Sequence, residues 1–259
     1  MGPQATLIKP DWPAPANVLA LSSTRLGGHS QPPYRGFNLA LHVGDQPRAV
    51  AANRALLLGE LPANTHVCWL NQLHGVQVVK ADVGEGDSPP AADASWSDQP
   101  GVGCAVMTAD CLPVLFCAAD GSRVAAAHAG WRGLQAGILE ATVAAMGIGA
   151  DQLMAWLGPA IGPARFEVGG EVREGFLAAG SASERAALDA CFSPAARPGH
   201  FLADLYGLAR IRLAAAGLTR VYGGGRCTYE ESQHFFSYRR DHETGRMATL
   251  VALRPALEK

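Results

Sequence analysis

VGCAVMTADCLPVLFCAADGSRVAAAHAGWRG, residues 102–133, is the stretch whose reading decides the fold. It holds three apolar runs of strand length, divided by TADC at 108–111 and by AADGS at 118–122. Asp120-Gly121 is a strong signal for a tight hairpin, because such a turn needs positive φ, which Gly adopts freely and Asp tolerates. With the turn centred there, Cys111 faces Gly130 and stands two positions from His128. A loop one residue pair earlier sets Cys111 directly opposite His128. Either register brings a thiol and an imidazole to the open end of one hairpin, since diagonal cross-strand neighbours lie ~7–8 Å apart. From spacing alone the pair reads equally as a chemical site and as an inert buried thiol beside an ordinary imidazole.

Working outward, Val18–Ser23 reads as a strand that ends in the loop TRLGGHSQPPYRG. Arg25 lies just past that strand end, where a Gly-rich loop can hold a fixed positive charge. Residues 48–61 have the ~3.6-residue apolar spacing of a helix. Short strands are expected at 67–70 and 76–79, with NQLHG between them and His74 projecting from the turn. Residues 81–100 are rich in Gly, Ser, Pro and Asp and read as a surface excursion within one domain. Helices are expected at 134–146 and 203–216, stopped by Gly147 and Gly217. Val221-Tyr222 and Met247–Leu253 supply the closing strand candidates, and residues 1–16 read as a Pro-rich arm. Hairpins mixed with dispersed helices predict an α+β fold, a single domain of mixed β-sheets built partly from hairpins and covered by helices.

Composition narrows the function. The chain has 259 residues, of which 48% are hydrophobic and 17% charged, so it can bury a large core and falls outside the disordered class. Lys and Arg total 21 against 23 Asp and Glu, with no basic block to neutralise a run of phosphates, so no nucleic-acid partner is expected. Apolar runs break well before the ~18 residues of a membrane span, so no membrane partner is expected either. Six cysteines in so long a chain, behind an opening MGPQATLIKPDWPAP without a charged-then-apolar leader, point to reduced thiols and a cytoplasmic location.

NQLHG (71–75), TADCLPVLF (108–116), AAHAGWRG (126–133) and CTYEESQHFFSYRRDHETGR (227–246) together resemble the laccase-domain family. That family is also called polyphenol-oxidase-like, peptidoglycan editing factor, or purine nucleoside phosphorylase of the laccase-domain type. STRLGGHS (23–30), GFNLALHVGD (36–45) and LGPAIGPARFEVG (157–169) extend the resemblance over nearly the whole chain. It implies one laccase-type domain over residues 1–259 and a zinc site held by His74, Cys111 and His128. Two imidazoles and one thiolate suit Zn²⁺, and three protein ligands leave a fourth position open, as in catalytic rather than structural sites. The same donors also accept copper.

The resemblance further implies phosphorolysis of adenosine, inosine and methylthioadenosine to free base and ribose 1-phosphate, with adenosine deamination beside it. Purine nucleosides and inorganic phosphate are then the partners, and the oligomeric state is left open. Cys111, His128 and Arg25 take the catalytic roles. Phosphorolysis needs positive charge for its anion, which nominates Arg25 first and Arg239 and Arg240 behind it. Asp110 is either a proton shuttle or a turn-capping carboxylate, and GGGRCT at 223–228 either an anion nest or a plain turn. Two other enzyme classes stand against this reading: a hydrolase with Cys111 as nucleophile and His128 as its base, editing peptidoglycan precursors, and a copper-dependent polyphenol oxidase.

Overall fold

A computed structural model describes residues 4–82 and 88–255. In chain order the elements begin with strands β1 (Leu7–Ile8) and β2 (Val18–Ser23), helix α1 (Pro47–Gly59), then β3 (His66–Cys68), β4 (Val78–Lys80) and β5 (Ala94–Ser97). The central run is β6 (Val102–Thr108), β7 (Leu112–Ala118), β8 (Val124–Ala129), α2 (Trp131–Ala136), α3 (Ile138–Ala145) and β9 (Leu153–Leu157). There follow β10 (Glu167–Gly169), α4 (Gly170–Ala179), α5 (Arg185–Ala190), β11 (Phe192–Pro194) and β12 (His200–Ala203). The chain closes with α6 (Leu205–Ala215), β13 (Val221–Gly223), α7 (Tyr238–Asp241) and β14 (Met247–Leu253).

Among the described residues these strands form three sheets, ordered β1-β2-β14-β6-β3, β13-β9-β7-β8-β5-β4 and β10-β12-β11. The two larger sheets stack face to face. Cys104 and Val106 of β6 and Val251 of β14 pack there against Leu115 and Cys117 of β7 and Trp156 of β9. Because strand side chains alternate, the next residues along each strand point the other way. Ala105 and Met107 meet Leu57 of α1 together with Phe37 and Leu39, while Val114 and Phe116 meet Ile138 and Leu139 of α3 and Leu208 and Leu213 of α6. Helices thus cover both outer faces, and β6, β7 and β8 are buried along their full length. That double burial is why the deciding stretch reads as unbroken apolar runs instead of an in-out alternation. Phe116 is fully buried, so Phe116→Ala would cost ~3–5 kcal/mol.

The α+β expectation holds, and β7 and β8 form the expected hairpin, pairing Leu112 with Ala129 and Pro113 with His128, the first of the two registers. Other expectations change. Residues 81–100 are not wholly a surface excursion: Ala94–Ser97 is a strand inside the six-stranded sheet, paired with both β4 and β8, and residues 83–87 of that stretch lie outside the described residues. The helix expected at 134–146 starts at Trp131 and is broken at Gly137, whose φ of 103° places it in the left-handed region. The helix expected at 203–216 begins after Asp204, whose carboxylate accepts the Tyr206 N–H as an N-cap. The N-terminal arm is tied down where it is described: Leu7 and Ile8 pair with Ser23 and Ser22, and Trp12 packs against the core between the sheets.

β6 and β7 belong to different sheets, so TADC is the link by which the chain crosses from one to the other. Asp110 turns that corner at φ 92°, and its carboxylate holds it there. Oδ1 accepts the Thr228 hydroxyl at 2.6 Å; Oδ2 accepts the Ser237 hydroxyl at 3.0 Å and the Arg239 N–H at 2.7 Å. These contacts fit the capping role of the two considered for Asp110, and they set Cys111 immediately before β7.

Candidate metal centre

His74 is placed by two side chains that grip its loop. Gln72 mimics a strand residue against the edge of β6: its amide donates to the Met107 carbonyl at 2.8 Å and its Oε1 accepts the Met107 N–H at 2.8 Å. Asp93 accepts the N–H groups of Leu73 (3.1 Å), His74 (2.9 Å) and Gly75 (2.7 Å). Three backbone donors on one carboxylate hold His74 at φ 61°, a conformation that is costly for a residue with a side chain unless its surroundings enforce it.

The same carboxylate holds His128, which lies buried near the end of β8. Its backbone N–H donates to the Asp93 carbonyl at 2.7 Å, and its ring Nδ1 is 2.8 Å from Asp93 Oδ1. That contact leaves Nε2 as the free ring nitrogen, the arrangement in which a carboxylate fixes tautomer and orientation for a metal-binding imidazole. Burial works against ionising Asp93, but the His128 hydrogen bond and the loop N–H groups outweigh it and hold the carboxyl below its ordinary range.

Cys111 arrives from the crossover, and the three side chains converge. Cys111 Sγ is 3.8 Å from His74 Nε2, and the ligand atoms of His74, Cys111 and His128 all lie within 4.8 Å of one another. The two imidazole rings meet edge to face, with centroids 4.7 Å apart. Gly130 keeps the space between them open: a Cβ there would stand 2.9 Å from His74 Cδ2, 3.1 Å from Cys111 Sγ and 3.5 Å from His128 Cε1. Gly133 packs with similar closeness on the loop, since a Cβ there would be 2.8 Å from the Gly75 carbonyl oxygen. Burial resists ionisation of Cys111, yet the His128 and His74 imidazoles more than offset it and pull the thiol down to about 6. His128 responds in kind: burial lowers it, but Cys111 and Asp93 together raise it above the ordinary imidazole range.

The residues fit a metal ion. A thiol poised as thiolate and two imidazoles around a space that one Cβ would fill form a borderline-soft donor set for a late first-row divalent ion. Among the described residues this is the one His, Cys, Asp and Glu group close enough to hold one. The group lies in the wall of a cavity of about 340 Å³, whose other lining includes His42, Gln72, Met107, Tyr238 and Arg246.

Arg25, Arg239 and Arg240 do not line this cavity. Arg25 lies over the Phe236 ring at 4.7 Å and donates to the Ser232 carbonyl. Arg239 donates to the Glu167 carbonyl and covers Phe166. Arg240 is bonded to the carbonyls of Thr228, Tyr229 and Phe235 and to Asp241. The GGGRCT turn lies elsewhere too, with the Gly224 N–H on the Leu157 carbonyl and Arg226 paired with Glu231. Two residues that organise the site escaped the sequence reading. Asp93 sits in a polar stretch with only its neighbouring alanines as context. Arg246 follows the more conspicuous Arg239-Arg240 pair, and its place in the cavity wall just before β14 has no signal in the sequence beyond its charge.

A His–Cys–His group at a crossover between stacked sheets defines the class: an α+β protein with one candidate mononuclear metal centre. The chain belongs to the family described as multi-copper polyphenol oxidoreductase laccase, whose pattern matches residues 19–254. It is 56% identical over 246 residues to a purine nucleoside phosphorylase of Pseudomonas aeruginosa, covering 95% of this chain and 98% of the relative. It is 53% identical over 249 residues to the purine nucleoside phosphorylase YfiH of Escherichia coli K12, with coverage of 95% and 98%. A crystal structure of a Neisseria meningitidis protein superposes with a TM-score of 0.89 at 50% identity, covering 96% of this chain and 99% of that one. No helix among the described residues is long and apolar enough to cross a membrane.

Proposed function

We propose that this protein is a zinc-dependent purine nucleoside enzyme, acting in the cytoplasm as a single laccase-type domain. In this reading it cleaves adenosine, inosine and methylthioadenosine with phosphate and deaminates adenosine as a second activity. The observation that carries the reading is the convergence of His74, Cys111 and His128 around the space left by Gly130, on the wall of a cavity of small-molecule size. The names of the Pseudomonas and Escherichia relatives support the nucleoside and phosphate part. When bound, the ion supplies Lewis acidity and a lowered pKa for a water in its open position.

The chain's own groups do the rest. Asp93 orients the His128 imidazole and fixes the loop backbone that carries His74, so the donor atoms are set before a ligand arrives, and the buried side of the cavity limits competing water. In phosphorolysis a phosphate oxygen bonds to the ribose anomeric carbon as the bond to the purine nitrogen breaks. The electron pair leaves with the base, which takes up a proton. Arg25 keeps its candidate role in substrate binding from outside the cavity lining, over Phe236, which is two residues along the chain from Tyr238 of the cavity wall. Arg239 and Arg240 contribute by holding α7, which carries Tyr238, in place.

One observation favours a second reading: a thiol brought down to about 6 beside two imidazoles is also a competent nucleophile for amide cleavage. One assay separates the two. Protein of measured metal content is incubated with adenosine, with and without phosphate, and the products are identified by mass. Adenine with ribose 1-phosphate, dependent on both metal and phosphate, supports phosphorolysis, and inosine supports deamination. Neither product at full metal loading overturns the nucleoside reading.

A further inference from the structure

We infer that Arg246 is the anion-binding residue of the cavity and that its ligand is inorganic phosphate, an assignment that rests on the phosphorolysis reading for the identity of the anion. Arg246 lines the same cavity as His74, Cys111 and His128. Its Nη1 is anchored on the carbonyls of Thr244, at 2.8 Å, and Gly245, at 3.1 Å. Its backbone N–H is fixed on Asn38 Oδ1 at 2.9 Å. Among the described residues Nε and Nη2 have no hydrogen-bond partner, and neither is sealed from solvent. These two nitrogens form the side edge of the guanidinium. A planar edge with two parallel N–H donors matches two oxygens of a tetrahedral oxyanion. The stem is therefore immobilised by one nitrogen while the binding edge stays open, so little conformational entropy is lost on capture.

The electrostatics of the cavity point the same way. No carboxylate lines it among the described residues, and the pKa of His42 beside Arg246 is lowered by burial and by the Arg246 and Arg54 charges, which leaves the guanidinium as the cation of the wall. The acids that come near are engaged elsewhere: Asp110 by Thr228, Ser237 and Arg239, Asp93 behind His128, and Glu243 by the Tyr34 hydroxyl. A guanidinium with no carboxylate paired to it attracts an anion more strongly in a partly desolvated cavity than in bulk water, and a metal ion on Cys111 would take up the thiolate charge that otherwise faces it. The arginines singled out from sequence lack this combination. Arg240 is committed to three carbonyls and Asp241, and Arg25 and Arg239 are not among the residues that line the cavity.

The test uses the metal-loaded protein with inorganic phosphate as the probe. Phosphate binding is measured by calorimetry, with and without saturating inosine, for wild type, Arg246→Gln and Arg246→Lys, each checked for fold and metal content. We expect Arg246→Gln to weaken phosphate binding roughly 10- to 100-fold and to raise KM for phosphate in parallel, leaving metal content and nucleoside KM near wild type. Arg246→Lys, which keeps the charge but not the fork, should fall between. Phosphate that binds wild type and both variants equally overturns the assignment, as does wild type that binds none under either condition. Phosphate captured through Arg246 without any nucleoside turnover supports the anion site and overturns phosphorolysis instead, so the two failures are distinct.

Discussion

Asp93 Oδ1 stands 2.8 Å from His128 Nδ1 and accepts the His74 backbone N–H at 2.9 Å, so one carboxylate oxygen orients one imidazole and fixes the backbone that carries the other. Its partner oxygen takes the neighbouring N–H groups of Leu73 and Gly75. The ligand set is therefore organised from behind, by a residue that touches none of the space between the donors. Asp93→Asn, which keeps the shape but loses the charge and one acceptor, should weaken metal binding about 10- to 100-fold. It should also lower stability by about 1–3 kcal/mol through the N–H groups left unpaired. Competition with a chromophoric chelator reads the first effect and urea unfolding the second.

Gly130→Ala isolates the space between the ligands from the fold. The backbone of Gly130 sits at φ −60° and ψ 154°, which alanine adopts without strain, so the added methyl acts only by crowding His74 and Cys111. Elemental analysis should find metal content far below wild type, with an unchanged circular dichroism spectrum. Full metal occupancy in this variant would show that the ion sits elsewhere.

The lowered Cys111 thiol gives a pH signature in metal-free protein. Its thiolate is the reactive form, so the rate of alkylation by iodoacetamide should be near its maximum at pH 7–8 and fall as pH drops through about 6. An ordinary thiol would lose reactivity already below pH ~8.5. His128→Gln removes the leading stabiliser of the thiolate and should move the midpoint upward. Loading with zinc should protect Cys111, as peptide mass mapping would reveal. Rapid labelling that ignores zinc, with amide hydrolysis undiminished by chelator, would favour the cysteine-hydrolase reading.

Asp110→Asn tests whether that carboxylate caps a corner or moves protons. It accepts three hydrogen bonds in a buried corner, and asparagine cannot accept all three, so a loss of about 1–3 kcal/mol is expected. The pH dependence of kcat should keep its shape. Unchanged stability together with a missing limb of that profile would restore the proton-shuttle role.

The parts legible in the sequence were those governed by local chemistry. Asp120-Gly121 specified the β7–β8 hairpin, and with it the approach of Cys111 to His128, because a turn dipeptide and two apolar runs leave few registers. The stacking of two sheets was hidden by the burial of β6 and β7 on both faces, which erases the alternation that would assign each side. β5 was hidden differently: ASWS has two serines that are fully buried in the sheet, and nothing in a short polar segment announces that. Asp93 was missed because its role depends on β5 lying beside β8, a long-range pairing. Arg246 was missed because charge density favours Arg239 and Arg240, whereas availability depends on which nitrogens the fold leaves unpaired.

The crossover at TADC gives the site a mechanical property. Cys111 comes just before β7, after the chain has left one sheet for the other, while the His74 loop is tied to both: to the sheet being left through Gln72 on Met107, and to the sheet being entered through Asp93 beside β5. Any slip of one sheet over the other would set these two ties of the His74 loop against each other, so the centre should respond to inter-sheet alignment. Truncating a distant residue in that seam, such as Leu115 or Trp156, should register as faster metal release before it registers in the identity of the ligands. Conversely, an ion on His74, Cys111 and His128 would pin the His74 loop to the ends of β7 and β8, and its departure should loosen hydrogen exchange in that loop ahead of the outer helices.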